Sequence, residues 1–260
     1  MSGLTFTNDA AEKLIAAYSS ADLVRQREVT LQRLNLSPGE HVIDIGCGPG
    51  FLCESVAAVI GPTGRVAGID ISEDLINFAT KHKSSESIEY RAGNATALPV
   101  DAEQFDVAVS AQVIEYVADA DAALREIYRV LRPGGRAFII DTDFDSWVWY
   151  AADADRMARI MKGWETHCAD SRLPRTLITR LHAAGFKVVG VEGYPIINTT
   201  YRPGDFSHGL SRLIADFVLT RGFDAAVVDG WLADLVTTEQ RNSSFFSLNR
   251  YFFGAEKGEG

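Results

Sequence analysis

The sequence predicts an α/β fold: a parallel sheet with helices on both faces. Between residues 41 and 141, apolar runs with the length of buried strands alternate with helical segments. The first run, Val42, Ile43 and Ile45 around Asp44, ends in glycines at alternate positions, Gly46, Gly48 and Gly50. The second run, residues 65–72, also ends in an acid, Asp70, 26 residues after Asp44.

The elements follow in order. Residues 9–34 read as helical, with Leu14, Ile15, Tyr18, Leu23, Val29, Leu31 and Leu34 as apolar positions, and Ser37-Pro38-Gly39 breaks the pattern. After the first strand, residues 51–60 are a helix and Gly61-Pro62-Thr63-Gly64 a turn. The second strand leads to a helix over 72–82, a third strand over 87–91 and the loop Gly93-Asn94-Ala95. A fourth strand, 104–110, is followed by helices at 112–117 and 119–131. Leu131-Arg132-Pro133-Gly134-Gly135-Arg136 then leads into a fifth strand, 137–141.

Beyond residue 141 the alternation loosens. Residues 143–167 carry Trp147, Trp149, Tyr150 and Trp164. Residues 173–184 form an amphipathic helix stopped by Gly185, and 186–191 a strand. Residues 205–222 and 224–236 read as two helices, and 244–255 as the closing strand.

Composition narrows the function. At 47% hydrophobic and 23% charged residues the chain is an ordinary globular sequence. Thirty-five acids against 25 lysines and arginines give a net charge of −10, and no basic run is concentrated enough to attract a phosphate backbone, so a nucleic-acid partner is not expected. Cys47, Cys53 and Cys168 are too few for a disulfide framework or a zinc site, so no metal is expected. No signal pattern or run of about 18 apolar residues appears, so membrane insertion is not expected either. A cytoplasmic location fits these features.

The glycine turn carries the chemistry. Glycines there let the backbone take positive φ and let a ligand lie against the main chain. A dinucleotide turn reads G-x-G-x-x-G. Here the spacing is G-x-G-x-G, with Asp44 two residues before the first glycine, which suits a ligand carrying an ammonium group. An acid closing the second strand, Asp70, is placed to bind ribose hydroxyls.

With these motifs in order (Asp44-Ile45-Gly46-Cys47-Gly48-Pro49-Gly50, Gly68-Ile69-Asp70-Ile71-Ser72, Gly93-Asn94-Ala95, Leu131-Arg132-Pro133-Gly134-Gly135), residues 38–141 resemble class I S-adenosylmethionine-dependent methyltransferases. The resemblance is to the small-molecule type related to ubiquinone and menaquinone biosynthesis. It implies a Rossmann-like seven-stranded sheet in the order 3-2-1-4-5-7-6, strand 7 antiparallel, with helical insertions at 143–168 and 194–240 roofing the site. It also implies a single domain over 1–260: N-terminal helices to 37, a cofactor-binding core over 38–141, and substrate-side insertions and closing strands over 142–260. The cofactor is S-adenosyl-L-methionine and the acceptor a small molecule.

The resemblance assigns the cofactor site residue by residue. Gly46, Gly48 and Gly50 let the methionine part approach the backbone, and Asp44 orients its amino group. Asp70 accepts from the ribose, Ile71 packs on adenine, and Asn94 and Ala95 sit at the adenine edge. Asn94 departs from the commoner Asp, but an amide keeps an acceptor oxygen. Gln112 meets the methionine end, and Tyr18 and Arg27 close over it, unless both are ordinary surface residues.

Acceptor contacts are less marked. His167, between Trp164 and Cys168, is the candidate general base toward a phenol, enol or acid, or else a buried structural histidine. Trp149, Tyr201 and Arg202 are candidate acceptor contacts. The alternatives are a nicotinamide-dependent oxidoreductase, disfavoured by the glycine spacing, and a non-catalytic nucleotide-binding module, disfavoured by the intact Asp44/Gly46/Gly48/Asp70 set. Metalloid methylation needs converging thiolates that the cysteines do not supply.

Overall fold

Buried strands run on both sides of the glycine turn in the computed structural model, which describes Tyr18 and residues 20–259. The helical turns expected before Tyr18 lie outside the described residues. Helix α1 (Ala21–Leu34) precedes β1 (His41–Ile45), α2 (Phe51–Ile60), β2 (Arg65–Asp70), α3 (Glu73–His82) and β3 (Ile88–Ala92). Next come β4 (Phe105–Ala111), a single 3-10 turn (Ile114–Tyr116), α4 (Ala120–Val130) and β5 (Leu131–Thr142). The rest is β6 (Val148–Trp149), α5 (Ala154–Trp164), α6 (Pro174–Ala183), β7 (Phe186–Asn198), α7 (Phe206–Thr220), α8 (Ala225–Gln240) and β8 (Phe246–Lys257).

One sheet runs β3-β2-β1-β4-β5-β8, with β7 paired to the outer side of β8. Strands β1 to β5 are parallel, and β8 is antiparallel to both β5 and β7. With β7 and β8 as sixth and seventh strands, this is the expected order 3-2-1-4-5-7-6. The addition is β6, two residues beside Phe246 and Ser247 of β8, past the point where β5 leaves it after Thr142.

Alternation along β1 divides the core. Val42 joins Leu52, Val56 and Ile60 of α2 under one face, and Ile43 and Ile45 join Leu124 and Ile127 of α4 and Leu177 of α6 under the other. A third cluster lies over the carboxyl ends of the strands. Ile160 and Trp164 of α5, Ile214 and Val218 of α7, and Trp231 of α8 pack there on Phe246 and on Leu23 of α1. This is the expected roof.

Three elements differ from expectation. Strand β5 starts at Leu131 rather than 137, because Leu131 pairs with Phe105 and the Pro133-Gly134-Gly135 stretch is taken up as an irregularity before Arg136 pairs with Val107. Strand β7 continues to Asn198 despite Gly190, Gly193 and Pro195. Its outer side pairs with no other described strand, so a missing N–H is tolerated there. The helix expected at 112–117 is one 3-10 turn, because Gln112 takes φ +61 on leaving β4.

Gly46 has φ +74, and a Cβ on it would lie 2.1 Å from a Val113 methyl carbon. Gly46→Ala is therefore expected to cost at least about 2 kcal/mol in urea denaturation, from backbone strain and overlap together. Adding Val113→Ala should recover only the part due to overlap.

Candidate active site

The sheet order reverses between β1 and β4, and ligands of open α/β sheets bind beyond the strand ends at such a point. There the N–H groups of Gly46 and Cys47 both donate to Ile69 O, at 2.7 and 3.0 Å, folding the turn across the end of β2. The N–H of Gly48 reaches Asp70 Oδ2 at 2.9 Å, and Ser72 N–H donates to Oδ1 at 2.9 Å. The Asp70 carboxylate is thus held by two backbone donors, with its remaining lone pairs free for a diol. Burial raises its pKa, and these donors oppose the shift.

The three glycines are not equivalent. Side chains on Gly46 and Gly50 would strike Val113 and the Tyr90 hydroxyl, whereas a Cβ on Gly48 meets nothing within 4 Å. Gly48 therefore faces open space, and Gly46 and Gly50 serve the packing around it. Asp44 is buried behind the turn and accepts from the Cys53 thiol at 3.3 Å. Burial raises its pKa to about 7, against the lowering by that bond.

Next to Asp70, Ile71 is 71% exposed, an apolar surface of the kind an adenine ring covers. Asn94 is exposed, and its Oδ1 accepts from Thr96 N–H and hydroxyl at 2.9 and 3.0 Å. The amide is thereby oriented, with its NH2 turned away from these partners. Ala95 packs half-buried on the core below.

Where the methionine end is expected, Gln112 holds its positive φ because its N–H donates to Ile140 O at 2.7 Å and its Oε1 accepts from the Thr142 hydroxyl at 2.6 Å. Strained backbone of this kind clusters at functional sites. Arg27 donates to Tyr18 O at 2.7 Å and lies 5.1 Å over the ring of Phe51, the first residue after the glycine turn. The Tyr18 phenol lies within the fields of Arg250, Asp70, Asp44 and Glu115, and burial raises its pKa to about 12.

Sequence reasoning missed the charged groups beside this end. Glu115 and Asp141 are wholly buried, and Arg250 of β8 is 7% exposed. Glu115 Oε2 accepts from Thr142 N–H at 2.8 Å, while Oε1 has no partner. Neither Asp141 oxygen is hydrogen-bonded; the N–H groups of Glu115 and Val113 approach without reaching hydrogen-bond geometry. Burial raises Glu115 to about 7 and drives Asp141 well above the carboxylate range, with the charge of Glu115 adding to the latter. The signal was present as single charges inside apolar strands, Ile139-Ile140-Asp141 and Leu248-Asn249-Arg250-Tyr251-Phe252. Only the pairing of β5 with β8 brings them together.

Under the roof, His167 is wholly buried. It stacks on Trp164 at 3.8 Å between ring centroids, with Phe144 edge-on at 4.4 Å and Tyr116 at 5.9 Å. Its Nδ1 lies 2.7 Å from Trp164 O, a contact that requires the proton on Nδ1, so unpartnered Nε2 carries the lone pair. Burial lowers its pKa to about 4, so it is neutral at physiological pH.

Trp149 is half-buried, edge-on to Trp231 and Phe246. The other two expected acceptor contacts point elsewhere. The Tyr201 hydroxyl bonds Ser211 at 2.6 Å inside the roof core, and Arg202 is at the surface, paired with Glu239 at 2.6 Å. Both are engaged in holding the roof together. The three cysteines are free and buried, and no cluster with metal-ligand character occurs among the described residues.

Comparison with known proteins agrees with this geometry. Residues 36–184 match the model of a methyltransferase domain family. Demethylmenaquinone methyltransferase of Lactococcus lactis is 34% identical over 49% of this chain and 51% of its own length. A 37.1 kDa protein of Streptomyces fradiae is 29% identical over 90% of the chain and 70% of its own length. The solved structure of Haemonchus contortus phosphoethanolamine N-methyltransferase 2 with S-adenosyl-L-methionine shares the fold, with TM-score 0.63 at 19% identity, covering 97% of this chain and 58% of that one. The alignment thus spans about half the length of the named menaquinone relative. This chain belongs to the S-adenosylmethionine-dependent methyltransferase family.

The residues present fit that cofactor: an open space over Gly48, a diol acceptor at Asp70 and an exposed apolar surface at Ile71. Asp70→Ala is expected to weaken S-adenosylhomocysteine about tenfold or more in titration calorimetry, the loss of charged hydrogen bonds to a diol. Gly48→Val should bind far more weakly still, because its added side chain occupies ligand space and its branched Cβ also resists the φ of +52 that the turn requires. Normal binding by either variant would remove that residue from the site.

Proposed function

We propose that this chain transfers the methyl group of S-adenosylmethionine to a small-molecule acceptor held between the strand ends and the roof. The observation that carries the reading is the glycine turn at the switch point, open above Gly48 and beside the oriented Asp70. When bound, the cofactor supplies a methyl group on a positively charged sulfur that is itself the leaving group. The protein's part is then alignment, exclusion of water and custody of one acceptor proton.

Asp44, the glycines 46, 48 and 50, Gln112, Tyr18 and Arg27 would hold the methionine end; Asp70, Ile71, Asn94 and Ala95 would hold the nucleoside. His167 would take the proton from an acceptor hydroxyl, enol or acid, because its Nε2 lone pair is free and its ring is neutral. Trp149 and the aromatic groups around His167 would wall the pocket. In this division of labour residues 38–141 would serve the cofactor, with Tyr18 and Arg27 beside them, and residues 142–260 the acceptor.

No helix among the described residues is long and apolar enough to cross a membrane. The free thiols support the reading of a cytoplasmic enzyme acting on a dissolved acceptor.

Incubating the protein with methyl-labelled S-adenosylmethionine and a cell extract, followed by mass spectrometry, should reveal a labelled small molecule. Label appearing only in nucleic acid, or nowhere while S-adenosylhomocysteine binds, would contradict the proposal. With the acceptor identified, His167→Gln should lower kcat about 100-fold, the range for loss of a general base, and leave S-adenosylhomocysteine affinity within twofold. The wild-type rate should show no histidine limb between about pH 5 and 8, because a base with pKa near 4 stays unprotonated there and is lost only as pH falls through that value.

A further inference from the structure

Among the described residues, Arg250 is a buried cation without a close anionic partner. It lies at the end of β8 nearest the roof, where its Cα pairs in register with Thr142 of β5. Its Nη1 donates to the neutral amide oxygen of Gln26 on α1, its guanidinium lies 5.2 Å over the Phe206 ring of α7, and its Nε has no partner. No carboxylate among the described residues comes within 4.0 Å of it. The nearest in effect are Glu115 and Asp141, whose fields it feels together with those of the Tyr18 and Tyr116 hydroxyls.

Glu115 Oε1, both Asp141 oxygens and Arg250 Nε are all buried without a hydrogen-bond partner, and Arg250 lies within the fields of both carboxyls. Tyr116, whose hydroxyl lies in the fields of Glu115, Cys168 and Tyr18, is 36% accessible. The same Tyr116 ring touches His167 edge-on. A buried polar atom without a hydrogen bond costs roughly 1–3 kcal/mol, and more when charged, so a surplus of this kind calls for a polar partner, which a bound ligand can supply.

We infer that Arg250 is the specificity residue of the acceptor pocket and that the acceptor carries a carboxylate, which Arg250 binds while the reacting group lies toward His167. The inference rests on the methyl-transfer reading above. A donor fork that lacks an anion selects a carboxylate over an amide or alcohol. Glu115 and Asp141 make no ion pair with Arg250 within 4.0 Å, so neither satisfies its fork directly. Burial raises the pKa of both, and a carboxyl that is protonated there donates a hydrogen bond to a bound anion rather than repelling it.

A carboxylate is also present on the cofactor's methionine. Arg27 is the better placed cation for that one, because it lies over Phe51 at the glycine turn. Arg250 belongs to the roof side, on β8 and beneath α7.

The test uses the whole protein saturated with S-adenosylhomocysteine and the matched probes benzoate, benzamide and benzyl alcohol, read by calorimetry and thermal shift. Benzoate should bind and raise the melting temperature, with the two neutral probes at least about tenfold weaker. Arg250→Gln should abolish the preference, Arg250→Lys should keep part of it, and both should bind S-adenosylhomocysteine within twofold of wild type. Equal binding of the three probes to wild type, or no binding of benzoate, overturns the inference without reference to any variant. A matched loss of S-adenosylhomocysteine affinity in Arg250→Gln also overturns it, and assigns Arg250 to the cofactor's carboxylate or to the fold. Failure of wild type to bind S-adenosylhomocysteine at all would instead refute the methyl-transfer reading on which it rests.

Discussion

The chain leaves β1 through a turn in which Gly46, Gly48 and Gly50 all take positive φ. That geometry follows from one carbonyl: Ile69 O accepts from both Gly46 and Cys47, pulling the turn across β2. Gly48 N–H then falls on Asp70, so the acid that closes the second strand is oriented by the turn that closes the first. Val113 fills the space above Gly46, Tyr90 fills that beside Gly50, and Gly48 is left facing open space. The other expected cofactor contacts are arranged around this turn, from Ile71 beyond Asp70 to Gln112 at the end of β4.

Much of this was legible because it is local. Strand and helix periods placed β1 to β4 and α2 to α4 close to their observed bounds, and the glycine spacing distinguished this turn from a dinucleotide turn. What was not legible depends on partners distant in sequence. Nothing near Leu131 says that it pairs with Phe105, so β5 starts earlier than its apolar run suggests. Nothing near Pro195 says that it lies on the outermost described strand, where a proline is harmless. Arg202 and Tyr201 looked like acceptor contacts by composition, but Glu239 and Ser211, 37 and 10 residues away, claim them for the roof.

The buried charges show the same limit on the functional side. Glu115, Asp141 and Arg250 come from three separate segments: the register of β5 with β8 sets Asp141 and Arg250 on neighbouring strands, and the Thr142 N–H fixes Glu115 beside them. Their cost to the fold is substantial, because burial penalises each charged form and few hydrogen bonds repay it. The roof adds His167, held neutral by its burial against Trp164 and Phe144. One side of the site is thus rigid backbone and glycine, and the other is aromatic surface with unsatisfied polar atoms. The first suits a cofactor that every member of the family shares, and the second an acceptor particular to this chain.

The central claim is that the cofactor is held at the carboxyl ends of β1 to β4, with Tyr18 and Arg27 beside them, and not by β8 or the roof. Amide hydrogen exchange with and without S-adenosylhomocysteine tests it most directly. The account predicts slowed exchange at residues 44–50, 68–72, 93–95 and 112–116, with 246–252 of β8 and the roof helices little changed. Slowing centred on β8 and the roof, or none at the glycine turn, would contradict it.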